Sequence, residues 1–66
     1  MAIKEFQSFC TELYIILCSE TSLDGIQFGT DYCIMKKGSR EFRFTTNDIQ
    51  GKTVDDFLEV AAAGLS

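Results

Sequence analysis

The chain has 66 residues, enough for one domain (residues 1–66) with one small core, because a chain of this size buries only roughly 60% of its unfolded surface. Hydrophobic residues make up 45% of it and proline is absent, which is typical of a folded domain and excludes a disordered segment. The absence of histidine and the odd count of three cysteines argue against a zinc site, a histidine-dependent triad and a Cys-His dyad, so we predict no metal, no cofactor and no enzymatic activity.

The cysteines also indicate a compartment. Cys10, Cys18 and Cys33 have no CxxC spacing, and free thiols are typical of a reducing environment. The N-terminus lacks the pattern of a secretory signal, and no apolar run approaches the roughly 18 residues of a membrane span. We therefore predict a cytoplasmic protein with no membrane partner. Since neither disulfides nor metal are expected to stabilise so small a domain, we also predict a homodimer or higher homo-oligomer.

The N-terminal segment predicts an amphipathic helix from residue 3 to about residue 19, because apolar residues recur there at steps of three and four. In its second half the pattern is apolar nearly all round, owing to Tyr14, Ile15 and Cys18. Either Tyr14 and Cys18 only widen the core face, or the three residues form a second contact surface for oligomerisation. Residues 13–18 also suit a short buried strand, although the longer helical pattern outweighs it.

The middle of the chain predicts a small sheet. Residues 19–25 are rich in turn-forming side chains, and Gly25 suits a positive φ. Alternating apolar residues predict a short strand at Ile26 and Phe28 and two hairpin strands at 32–35 and 41–45. The hairpin turn is predicted within residues 36–39, so the sheet has two or three antiparallel strands.

Two hairpin registers compete, and they place opposite side chains inside. A three-residue loop that ends at Gly38 would turn Tyr32 and Ile34 towards the core. A two-residue loop of type II′ that begins at Gly38 would instead turn Cys33 and Met35 inward and leave Tyr32 and Ile34 outside. We favour the three-residue loop because it buries the larger side chains. Either register predicts a partly apolar and basic outer sheet face.

The C-terminal segment predicts a second helix from residue 54 to about residue 63. Thr53 is a good N-cap, Asp56 stands at the capping-box position, and Gly64 is expected to stop the helix. The predicted fold is therefore α+β: a helix, an antiparallel hairpin sheet and a second helix, with both helices on one sheet face and the other face open to water or a partner.

Charge is distributed unevenly along the chain. Residues 36–43 carry a net charge of +3, whereas the other 58 residues carry −7. A local positive field attracts anions even on an acidic protein, although cations on a hairpin also discourage edge-to-edge aggregation. The predicted partner- or ligand-binding residues are Lys36, Lys37, Arg40, Arg43 and Tyr32.

Two binding functions follow from this basic hairpin. In the first, the chain inhibits or regulates a larger protein by docking the hairpin and outer sheet face on an acidic surface. In size, acidity and lack of catalytic groups it is similar to phage-encoded inhibitors, including anti-CRISPR proteins. In the second, Lys37, Arg40 and Arg43 line a site for a nucleotide or phosphorylated small molecule between subunits, with Tyr32 as a stacking ring. Duplex DNA is not an expected partner, because four cations face nine acidic residues elsewhere.

Overall fold

The computed structural model describes residues 2–65 and has two helices and three strands. In chain order these are α1 (Ile3–Glu20), β1 (Gly25–Phe28), β2 (Tyr32–Lys37), β3 (Arg40–Thr45), a 3₁₀ turn (Thr46–Ile49) and α2 (Val54–Leu65). The strands form one antiparallel sheet in the order β1-β2-β3. The predicted α+β class and the helix, sheet, helix order are confirmed, with three strands in the sheet.

Helix α1 covers the predicted segment, and the strand alternative for residues 13–18 is wrong. Its buried residues are Phe6, Cys10, Leu13 and Leu17, at steps of four, three and four. This spacing puts them on one side of an α-helix, where they can all be buried together. In a strand the same spacing would divide them between two faces. Within residues 2–65 no helix has both the length and the hydropathy needed to cross a bilayer.

The hairpin has the two-residue loop, so the register that we favoured from the sequence is wrong. Cys33 lies opposite Phe44, and Met35 lies opposite Phe42. Gly38 has a φ of 61°, and no residue other than glycine has a positive φ among those described, which is the pattern of a type II′ turn. Gly25, predicted at a positive φ, instead lies in β1 without one.

The core explains why the smaller side chains of β2 lie inside. The Phe44 ring is 2% exposed and meets the rings of Phe6 and Phe9 of α1 at centroid distances of 6.0 and 6.4 Å. It also meets Phe57 of α2 at 4.9 Å and Phe42 at 5.7 Å. Aromatic rings already fill this space, so the thiol of Cys33 and the thioether of Met35 fit beside them. The placement of both helices on one sheet face stays a prediction, which the contacts of Phe44 with both helices favour.

Helix α2 begins as predicted and ends later. The Thr53 hydroxyl accepts from the Asp56 N–H at 3.1 Å, and the Asp56 carboxylate accepts from the Thr53 N–H at 3.3 Å, which completes a capping box. The helix continues through Gly64 to Leu65, which is buried, so Gly64 does not stop it. A Cβ at Gly64 would overlap the Phe42 ring, and the glycine therefore lets α2 pack closely on β3.

Candidate protein-binding face

The register defines an outer face on the sheet, opposite Cys33, Met35 and Phe44. Side chains alternate along a strand, so residues that pair with each other across the three strands share a face. All of the residues on this face are half-buried or exposed, and none belongs to the buried core cluster. They are Gly25 and Gln27 of β1; Tyr32, Ile34 and Lys36 of β2; and Glu41, Arg43 and Thr45 of β3.

Tyr32 and Ile34 give this outer face an apolar centre. Ile34 lies on the middle strand, paired with Gln27 on one side and Arg43 on the other. The Tyr32 ring lies against Gly29, where a Cβ would overlap it, and the Gly29 N–H donates to the Tyr32 carbonyl at 3.0 Å. The glycine therefore leaves room for the ring to lie along the sheet. Both side chains are half-buried, so each keeps part of its surface exposed.

The four cations predicted as one binding patch lie on two sides of the sheet. Lys36 and Arg43 are on the outer face, whereas Lys37 and Arg40 pair with each other on the opposite side. This follows from the strand alternation, because neighbours in sequence point in opposite directions. Within one chain Arg43 therefore does not converge with Lys37 and Arg40 on a single phosphate. A phosphate site between subunits stays a prediction.

Arg43 has a weak ion pair. Its Nη2 lies 3.9 Å from Oε2 of Glu41, and the two side chains are 65% and 46% exposed. Exposed pairs of this kind contribute only about 0–1 kcal/mol to stability. The guanidinium therefore stays available to a partner carboxylate at little energetic cost.

An acidic residue absent from the sequence prediction holds the hairpin in place. The Asp24 carboxylate accepts a hydrogen bond from the Gly38 N–H at the turn, and the Asp24 N–H donates to the Lys36 carbonyl at 2.8 Å. Asp24 thus joins the start of β1 to the loop of the hairpin and adds a negative charge beside its cations. Fourteen residues separate it from Gly38, so no local sequence pattern signals the contact.

The depressions on this side of the molecule are shallow. The one on the outer face has a volume of about 200 Å³ and is lined by Gly25, Ile26, Gln27, Ile34 and Lys36. Small-molecule sites are typically concave and enclose roughly 300–1,000 Å³. This depression is below that range and is lined by only one charged side chain. It is suited to a side chain of a partner protein better than to a nucleotide.

The predicted oligomer residues on α1 differ in exposure. Ile15 is 62% exposed and Cys18 is exposed, whereas Tyr14 is half-buried against the core. Tyr14 thus packs against the core with part of its surface exposed, and the contact surface for oligomerisation on α1 stays a prediction. A hydrogen bond with Cys18 raises the pKa of the Tyr14 hydroxyl. Because the two side chains are one turn apart, this contact lies along the helix surface.

The thiols of Cys10 and Cys33 are buried together between α1 and β2. Both side chains are fully buried. The hydrogen bond with Cys10, together with burial, raises the pKa of the Cys33 thiol far above its ordinary value. Cys33 is therefore a neutral core residue, and the nearby cations of the hairpin do not make it a reactive thiolate.

Comparison with protein-family models, with curated proteins and with solved structures finds no match to this chain. Within residues 2–65 there is no cluster of three or more His, Cys, Asp or Glu side chains that could hold a metal ion. The surface chemistry of the molecule is therefore the guide to its function.

Proposed function

We propose that this protein is a non-catalytic binding module that inhibits or regulates a larger protein through its outer face and the adjoining hairpin. The observation that carries the proposal is the register, which places Tyr32 and Ile34 beside Lys36 and Arg43 on the side away from the core. Tyrosine and arginine are enriched at protein interfaces, where an apolar centre within a polar rim is the usual arrangement.

The charges support a partner of defined chemistry. Lys36 and Arg43 flank the apolar centre, while residues outside 36–43 carry a net charge of −7. A protein with this polarity is attracted to an acidic surface by its hairpin side and repelled by it elsewhere, which orients the encounter. We therefore propose a partner with carboxylates around an apolar contact. Binding there would regulate the partner by occupying its surface.

Substitutions on the outer face test this proposal. Wild-type protein, Ile34→Asp and Arg43→Glu are immobilised separately, and the proteins captured from a lysate of the source cells are quantified. Ala63→Asp is the matched control, because Ala63 is exposed on α2 and does not line the depression that Val60 shares with Arg43. A specific partner is retained by wild type and by the control and lost by both outer-face variants.

The captured protein is then purified and its affinity measured. We expect each outer-face variant to raise Kd at least about tenfold, since interface residues that matter cost more than about 1 kcal/mol when changed. Added salt should weaken wild-type binding, because it screens exposed charges. If both variants keep the fold and bind within about threefold of wild type, the outer face is not the contact surface and the proposal is wrong.

A further inference from the structure

The two edges of the sheet differ in their protection. Strand β3 carries Arg40, Glu41 and Arg43, and charged side chains on an edge strand discourage pairing with another chain. Strand β1, with the sequence GIQF, carries no charge and no proline. Although β1 has only four residues, it lacks the charged side chains and proline that protect edge strands from strand addition.

The hydrogen bonds of β1 show which of its backbone groups are directed outward. The Gly29 N–H donates to the Tyr32 carbonyl, so Gly29 belongs to the set that bonds to β2. Bonding alternates along an antiparallel strand, which places Gln27 in the same set and directs the N–H and C=O groups of Ile26 and Phe28 away from β2. These groups are positioned to pair with a further strand.

A groove lies beside this edge, between α1 and β1. Its volume is about 560 Å³, and it is lined by Phe28 of β1 and by residues along one side of α1: Lys4, Gln7, Ser8, Thr11, Glu12 and Ile15. Ile15 and Phe28 are 62% and 37% exposed, so large apolar side chains lie open along the groove. The exposed apolar surface and the open strand edge are therefore continuous with each other.

The charges of the groove determine which partner it fits. Lys4 lies near the start of α1 and Glu12 lies two turns later on the same side. A two-fold axis perpendicular to α1 makes the helix antiparallel to its symmetry mate, so the Lys4 end of each faces the Glu12 end of the other. The chain has a net charge of −4, and most of its surface therefore repels a second copy. This groove is neutral and complementary to itself.

We propose that the β1 edge and this groove bind a second copy of the chain. In this dimer the two β1 strands pair antiparallel through the outward groups of Ile26 and Phe28, and the sheets join into one of six strands. Helix α1 and its symmetry mate lie side by side over the joined edges. Lys4 of each copy then meets Glu12 of the other, and Ile15 and Phe28 are covered. Ile15 is thus shared with the interface predicted from the sequence, whereas Tyr14 and Cys18 are not part of it.

Charge reversal tests this dimer with the full chain. We expect wild type to sediment as a dimer, and Lys4→Glu and Glu12→Lys each to weaken dimerisation at least about tenfold, because each change replaces two symmetric attractions with repulsions. An equimolar mixture of the two variants should form a heterodimer, since every facing pair is again of opposite sign. Val60→Glu, on α2, is the matched control and should remain dimeric. Circular dichroism verifies that each variant folds.

Hydrogen exchange tests the strand pairing separately. In wild type the amides of Ile26 and Phe28 should exchange slowly, and in the Glu12→Lys monomer they should exchange at least about tenfold faster. The Gly29 amide, bonded within the chain, should stay protected in both. A monomeric wild type, dimers unaffected by both charge reversals, or a mixture that fails to associate would each overturn the proposal. So would a dimer in which the Ile26 and Phe28 amides exchange freely. None of these outcomes depends on the outer face, so the dimer and the proposed function fail independently.

Discussion

Asp24→Ala is the substitution that most directly tests how the hairpin is held. It removes the carboxylate that accepts from the Gly38 N–H, while the backbone hydrogen bond from Asp24 to Lys36 can remain. Hydrogen bonds to charged groups contribute about 1.5–3 kcal/mol, and this one is exposed, so we expect a loss of about 1 kcal/mol. In a domain of this size that loss lowers Tm by about 4–8 °C.

Thermal denaturation followed by circular dichroism measures this change, and amide exchange at Gly38 locates it. Asp24→Asn keeps an oxygen acceptor without the charge and should lose about half as much. Asp31→Ala is the matched control, because it removes an exposed carboxylate from the β1–β2 turn and should shift Tm by less than about 2 °C. If Asp24→Ala and Asp31→Ala have the same Tm and Gly38 exchanges at the wild-type rate, the carboxylate does not hold the turn.

Three further predictions concern the core. Phe44→Leu should lower the free energy of unfolding by about 1–2 kcal/mol in urea titrations, because edge-to-face ring contacts are lost, and equal stability of the variant and wild type would contradict this. Tm should fall as pH rises above about 9, because the raised pKa of the buried Cys33 thiol gives a stabilising contribution that is full below the unfolded pKa of 9.0 and declines as pH rises from there towards the folded pKa. Replacing both buried thiols, Cys10→Ala with Cys33→Val, should flatten this dependence, and an unchanged slope in that double variant would contradict the assignment. Gly64→Ala should destabilise by about 1 kcal/mol, because overlap with Phe42 outweighs the helix propensity of alanine, and a rise in Tm would show that the ring moves aside.

The helices could be predicted from the sequence because their signals are local. The apolar residues that define α1, such as Phe6, Cys10 and Leu13, are three or four positions apart. The capping pair of α2, Thr53 and Asp56, is three positions apart. The end of α2 was placed too early because glycine usually ends a helix, whereas Gly64 makes room for Phe42 from another element. That reason exists only in the packed structure.

The hairpin register could not be predicted for a related reason. Side-chain size favoured Tyr32 and Ile34 as core residues, but rings from other elements already occupy the core around Phe44. The contact of Gly38 with Asp24 also crosses fourteen residues. For the candidate site, the cations at 36 and 37 are neighbours in sequence and therefore point to opposite sides of β2. The cations that are clustered in the sequence are therefore divided between the two faces of the sheet.

The ring contacts of Phe44 also have a consequence for the order of folding. Pairing of the strands and contact of Phe44 with Phe57 of α2 both close small loops, whereas contact of Phe44 with Phe6 of α1 joins residues 38 positions apart and closes the largest loop. Until α1 docks, Phe44 has apolar surface exposed on a hairpin whose neighbour β1 lacks protective charge. The chain is therefore most prone to aggregate in the interval before docking. At high protein concentration it avoids aggregation only if docking is faster than association between chains.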